Sequence, residues 1–569
     1  MYKLIRKFKK SFRSKGLEIN PEDIFIDSAN LPGLNRDRLE GRIEKPIDNK
    51  TFNFLQFGLS LVVLLLIGRL VELQVVEGRA YTEISENNRL NRLIIFADRG
   101  VIFDKNKVPL AENTMKLDED IFAKRKYADL DGISAVLGYI KYPRQDSQGR
   151  FYDESYLGQA GAEKQFNSIL SGKNGSKLIE TDALGNVISE SVVEAPLRGG
   201  DVYLSIDSRV TSKLFEIISQ TAIDREFKGG AGVIMDVRTG EILSLTSYPE
   251  VDLNIVTEGS DDESISKFLV DKNKPFLNRV VSGLYTPGSI VKPIVAIGAL
   301  NEGVITPDKQ ILSDGSITVP NPYDPSKSQV FKDWKVHGWL DMRSAIAVSS
   351  SVYFYEIGGG FENQKGLGIT KINEYFSLFG LDEKTGIDLP SEVQSYFATP
   401  AWKAINFPED PDWRLGNTYH TAIGQYGTQV TPINAVRFIA SVANGGKLVK
   451  PTILLGRRSE GEEVVRNINL NEDLYKVIQE GMRASVTRGT AMGVSNEFVR
   501  VAAKTGTAEL GVKKDRTNSW IVGFFPYEEP KYAFAIIMES GPATNTTGGV
   551  FVMRSLIDWM AQNTTEYFE

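Results

Sequence analysis

"LYTPGSIVKPIVAIGAL", Leu284–Leu300, decides how the chain is read. Pro287 and Gly288 mark a turn and the residues behind them are apolar, so Ser289 stands at the mouth of a buried-looking helix with Lys292 three positions on. Residues three apart share a helix face, so the amine can reach the hydroxyl. An ammonium taken out of water without a partner is costly or gives up its proton. A neutral lysine can take the hydroxyl proton, which makes Ser289 a candidate nucleophile that needs no histidine. Spacing alone is a weak signal: "SISK", Ser264–Lys267, repeats it inside the acidic run "EGSDDESISKF" and reads as a solvated helix start.

Composition narrows the chemistry. The 569 residues allow two to four domains, and a net charge of -7 gives no reason to expect nucleic acid as a partner. There is no cysteine, which excludes disulfides, thiolate metal sites and a cysteine nucleophile. The two histidines, His337 in a glycine turn and His420 in "GNTYHTAIG", read as structural, and no metal or cofactor is expected.

The leader "MYKLIRKFKKSFRSKG" is rich in Lys and Arg, and "FNFLQFGLSLVVLLLIG", Phe52–Gly68, is uncharged and near the length of a membrane span. No small-residue cleavage site follows. "RLVELQVVEGRAY" continues as an amphipathic helix with Leu70, Leu73 and Val76 on one face, so the span reads as an uncleaved anchor. The basic side stays cytoplasmic by the positive-inside rule, and the rest lies outside. Residues from roughly 80 to 225 read as short strands and turns. From "GGAGVIMDVRTGEILSLTSYP" on, strands at both ends enclose helices, which predicts an α+β domain whose sheet is assembled from the two ends.

Two further stretches carry polar groups. In "KVHGWLDMRSAIAVSSSVYFYEIGGG" a helix over "LDMRSAIAV" delivers Ser349–Ser351; the segment is either functional or a polar loop closed over Tyr353 and Phe354. In "VRVAAKTGTAEL" an apolar strand ends in Lys504-Thr505-Gly506-Thr507, a cation and two hydroxyls around a glycine that lets a substrate come close, which suits a carboxylate. Lys384-Thr385-Gly386 repeats the tripeptide but reads as an exposed turn.

In this order the three stretches resemble the penicillin-binding protein and β-lactamase superfamily, with its S-x-x-K, S-x-N or S-x-D, and K-T-G motifs. "ENNRLNRLIIFADRGVIFDKN", "FLNRVVSGLYTPGSIVKP", "FKDWKVHGW", "TGIDLPSE", "AIGQYGTQVTP" and "ANGGKLVKP" are similar to class B transpeptidases of the elongation type, the penicillin-binding protein 2 group, from about residue 52 to the C-terminus. The resemblance implies a cytoplasmic segment over 1–51, a transmembrane helix over 52–71, a β-rich pedestal (dimerisation-like) domain over 72–225 and a transpeptidase domain over 226–569. It also implies Ser289 as acylated nucleophile, Lys292 as general base and Ser349 as proton relay. Lys504, Thr505 and Thr507 would hold the substrate carboxylate beside Gly506, and the Ser289 and Thr507 amides would form the oxyanion hole. The implied substrates are peptidoglycan stem peptides ending in D-Ala-D-Ala, with β-lactams as inhibitors. The implied partners are a SEDS-type glycan polymerase and rod-complex proteins at the bacterial cytoplasmic membrane.

Two departures matter. Ser351 stands where the family has Asn or Asp, and a hydroxyl reaches less far, so substrate positioning there is altered. The stretch between "LAEN" and "GAEKQF" is shorter than in many relatives, which points to a reduced pedestal head. Two other readings follow: a catalytically weakened scaffold that activates a polymerase, motivated by Ser351, and a register in which Ser350-Ser351-Val352 is the S-x-V of class D β-lactamases and sensors.

Overall fold

The computed structural model describes residues 49–569 apart from 80, 82–89, 115–120, 148–149, 182–186, 322–323 and 457–463. The basic leader lies outside the described residues. The chain divides into two compact units, Met1–Leu90 and Asn91–Glu569.

In the first unit a helix runs from Asn49 to Val71, starting three residues before the expected span. None of its residues is buried by protein, as an apolar segment meant for lipid requires. It is the one helix among the described residues long and apolar enough to cross a membrane. The expected regular amphipathic continuation is replaced by a π-turn over Glu72–Val76, which breaks the 3.6-residue repeat at Leu73 and Val76.

The second unit opens with two small sheets. One pairs Leu90–Ile95, Gly175–Thr181 and Val187–Glu194; the other pairs Val202–Tyr203, Ile102–Phe103, Pro109–Asn113 and Arg125–Tyr127. Between them Glu163 is fully buried and accepts from Arg99 Nε and Arg125 Nε, both at 2.7 Å.

The larger part is built on five antiparallel strands: β1 (Gly229–Asp236), β2 (Ile242–Tyr248), β3 (Ala502–Leu510), β4 (Arg516–Phe525) and β5 (Tyr532–Pro542). Their order is β2-β1-β5-β4-β3, so the two ends of the domain form one sheet, as the pattern predicts, and β3 lies at its edge. The sheet is covered on both faces, which explains why its strands read as nearly continuous apolar runs. Side chains alternate between two cores. Ala231, Val233, Trp520, Val522, Ala535 and Ile537 face the cluster that holds the Lys292–Asn301 and Pro432–Ala443 helices. Ile234, Ile521, Phe534 and Ile536 face the Ser208–Asp224 and Gly549–Asn563 helices.

Candidate active site

The quoted stretch folds as a 3-10 turn, Gly288–Val291, that runs directly into the helix Lys292–Asn301. The expected regular helix is thus tightened at its start, and in a 3-10 turn residues three apart eclipse. Close backbone approach explains the turn. Gly288 has φ +57, and a Cβ there would come within 2.9 Å of the Thr507 carbonyl; one on Gly506 would come within 2.7 Å of the Pro287 carbonyl. Gly288 N donates to the Gly424 carbonyl at 2.9 Å, and the Trp520 indole donates to the Thr286 carbonyl at 3.1 Å. Ser289 is half-buried, and its hydroxyl has no hydrogen-bond partner among the described residues.

The Lys292 side chain is fully buried. Its amine does not bond Ser289; it donates to the carbonyls of Ser349 at 2.8 Å and Ser350 at 3.1 Å, lies 3.5 Å from Ser351 Oγ, and sits 5.3 Å from the Phe354 ring centre. Loss of water pulls its pKa down to about 7, with the Asp333 carboxylate pulling the other way. Lys504 is also fully buried and donates to Ser349 Oγ at 2.7 Å and to the Thr505 carbonyl at 2.8 Å. Burial, and then the charge of Lys292, hold it well below the ordinary lysine value. Two amines without an ion-pair partner among the described residues therefore meet at one serine.

That serine is shaped by the elements on either side. Asp341 caps the helix Met342–Val348, and Ser349 ends it in the left-handed region, φ 59 and ψ 35. Ser350 caps the next helix, Ser351–Gly359, by accepting from Tyr353 N at 3.2 Å. Its hydroxyl donates to Asp333 Oδ2 at 2.6 Å and so is committed away from both lysines. The alternative of a polar loop over a core is met in part, since Tyr353 and Phe354 are fully buried under the serines.

The third stretch is the edge strand β3. The C=O and N–H of a strand residue point to the same side, so the Thr507 carbonyl facing Gly288 places the Thr507 amide on the unpaired edge too. Thr507 is exposed; Thr505 is half-buried, and its hydroxyl donates to Thr490 Oγ1 at 2.6 Å. Spacing did not disclose Thr490 or Asp333; the only mark on Asp333 was its place in "FKDWKVHGW", which served for resemblance alone.

The decoys separate cleanly. Lys267 is exposed and pairs with Glu263 at 2.8 Å. Lys384 is exposed, while Thr385 and Gly386 donate their amides to Glu392 at 2.6 and 3.0 Å, which makes that tripeptide a closed turn. His420 packs 5.5 Å from the Phe331 ring. His337 lies nearer the site than its turn suggests, with Nε2 3.8 Å from Asp333 Oδ1, and burial lowers its pKa so that it is neutral at pH 7.

Comparison with known proteins agrees with this layout. Residues 230–552 match the penicillin binding protein transpeptidase domain, and residues 119–204 the penicillin-binding protein dimerisation domain. The peptidoglycan D,D-transpeptidase MrdA of Acinetobacter baumannii is 32% identical over 448 residues, 73% of this chain; the match spans 63% of that relative's length. The Helicobacter pylori penicillin-binding protein PBP2, solved in complex with MreC, superposes with a TM-score of 0.69 at 26% identity, covering 84% of this chain and 99% of that one. A structure on the coordination of polymerization and crosslinking by a peptidoglycan synthase complex superposes with a TM-score of 0.68 at 26% identity, covering 91% and 98%. With a transpeptidase domain matched over more than half its length, the chain belongs to the class B penicillin-binding proteins, the PBP2-type serine D,D-transpeptidases of peptidoglycan.

Proposed function

We propose that this chain crosslinks peptidoglycan during wall elongation through an acyl-enzyme on Ser289. The Ser289 oxygen attacks the carbonyl between the two D-Ala residues of a donor stem while the neutral Lys292 amine takes its proton. The free amides of Ser289 and Thr507 stabilise the oxyanion. Ser349 passes the proton to the departing D-Ala amine. An amine of a neighbouring stem then attacks the acyl-enzyme, and the same groups return the proton to Ser289. Lys504, Thr505 and Thr507 hold the donor carboxylate, Gly506 lets it approach the strand, and Ser351, 3.5 Å from the Lys292 amine, lines the donor site. The observation that carries this reading is the meeting of two buried amines at Ser349, one on its carbonyl and one on its hydroxyl. The class D-like register is disfavoured because the Ser350 hydroxyl is held by Asp333.

The Asn49–Val76 segment anchors the chain once in the cytoplasmic membrane, with the basic leader inside and the pedestal (72–225) and transpeptidase domain (226–569) outside. The two solved relatives support a glycan polymerase and an MreC-type protein as partners. The test is intact mass of the detergent-solubilised full chain after addition of a penicillin. A stable adduct that Ser289→Ala abolishes is expected; an adduct that survives the substitution refutes the assignment.

A further inference from the structure

Asp333 lies outside the three motifs, yet its side chain is fully buried and two of its hydrogen bonds lead to the second of them. Oδ2 accepts from Ser350 Oγ at 2.6 Å, Ser313 Oγ at 3.1 Å and Val352 N at 3.0 Å, and Oδ1 accepts from Trp334 N at 2.8 Å. Ser350 and Val352 flank Ser351, and Val352 N is a first-turn amide of the helix Ser351–Gly359, where a carboxylate is favoured. The carboxylate thus ties its own loop and the Ser313 segment to the turn that presents Ser349.

We infer that Asp333 is a positioning residue for acylation: it holds the Ser349–Ser351 turn in place and sets the basicity of Lys292 by its charge. The inference rests on the reading of Ser289 as nucleophile and Lys292 as base. The geometric half follows from Ser349, a non-glycine residue in the left-handed region, which persists only where its surroundings fix it. Its carbonyl must face Lys292 and its hydroxyl Lys504 at once. The hydrogen-bonded Ser350 and Val352 pin the chain immediately beyond it.

The electrostatic half also starts from geometry: the Lys292 amine donates to the Ser350 carbonyl at 3.1 Å and the Ser350 hydroxyl donates to Asp333 Oδ2 at 2.6 Å, so a single residue separates amine and carboxylate. The charged and titratable groups around the hub are Lys292 from its helix, Lys504 from β3, Tyr355 from the helix Ser351–Gly359, which burial keeps protonated, and His337 and Lys335 from the loop of Asp333 itself. His337 is neutral at pH 7 and Lys335 is exposed, so the carboxylate acts mainly on Lys292. Burial and Asp333 oppose one another there, leaving the amine near 7, where a general base is most useful. Without the charge the amine holds its proton less tightly and is the weaker base.

The experiment is the pH profile of acylation of the full-length protein by a fluorescent penicillin. In the native chain the rate rises with pH, because only the deprotonated amine accepts the serine proton, and levels off above an apparent pKa of about 7. Asp333→Asn, which keeps the shape but only one of the two acceptor oxygens, should move that acid limb to lower pH and reduce the plateau by about 10-fold or more. Ser350→Ala, which loosens the turn without touching the charge, should lower the plateau and leave the limb in place. A native limb and plateau in Asp333→Asn overturn the inference, and so does a native plateau in Ser350→Ala. If Asp333→Asn does not fold, Ser350→Ala decides. Ser289→Ala in the native background separates the two levels: an adduct that survives there sinks the reading of the site, whereas its loss beside a native Asp333→Asn profile sinks the positioning role alone.

Discussion

Arg99, Arg125 and Glu163 in the pedestal and Lys292 and Lys504 in the cleft are both groups of buried charge, but their donors are spent differently. The arginines place nitrogens on the Glu163 carboxylate, and Arg99 also reaches Ser171 Oγ and Asn167 Oδ1, both at 3.0 Å. A guanidinium cannot give up its proton, so it must be paired where it is buried. The lysines bond carbonyls and hydroxyls, none of which neutralises a cation, and burial shifts them toward the neutral amine. Pairing makes a buried cation inert, whereas a carboxylate kept beyond bonding distance, as Asp333 is from Lys292, leaves it a base.

The strongest way to break this contrast is Lys292→Met. With Lys292 as the proposed base, its loss should cut acylation by about 10²–10⁴-fold. Stability should move the opposite way. An unfolded lysine keeps its proton to about 10.5 and the folded one loses it near 7, so the native amine destabilises most below pH 7 and the effect fades as pH rises toward 10.5. Thermal melts at pH 7 should therefore show Lys292→Met with a higher Tm; a lower one would mean that the lysine is a structural ion after all.

Glu163→Ala should reverse that pattern, costing about 3–5 kcal/mol by leaving two guanidiniums buried without their anion. Denaturant unfolding measures the loss, and the fraction that stays folded should acylate at the native rate. A loss below about 1 kcal/mol would show that water reaches the arginines and that the contrast between the two groups is false. The smallest effect sharpens the comparison from outside: exposed Lys384→Ala should stay within about 0.5 kcal/mol of native stability, with unchanged acylation. A drop in labelling would put the second K-T-G into the site.

What the sequence disclosed depended on how local the cause was. The two-ended sheet was legible because β1, β4 and β5 carry apolar runs bounded by turns, and their pairing follows once both ends are seen as strands. Ser289 was legible because proline, glycine and an apolar helix surround it. The 3-10 turn was not, since it is forced by Thr507 and Gly424, far along the chain. The choice between Ser349 and Ser350 was equally hidden in a row of identical hydroxyls; residues 155 positions away and 17 positions away make it, Lys504 taking one and Asp333 the other. Alternation and spacing report what a segment does with its neighbours, and a site assembled from four segments is only partly such a property.

The open edge of β3 has a consequence for the protein outside catalysis. A strand edge kept free for an extended substrate is equally free toward any other extended chain, including a second molecule of the same protein. The turn at Pro287 and Gly288 already covers Gly506 and Thr507 from one side, and the far end of the strand runs into a tip bearing Lys513 and Lys514, charges that discourage strand addition. The length of edge that can be read by a passing backbone is thereby shortened, so the fold limits self-association by the same means that limits what it accepts.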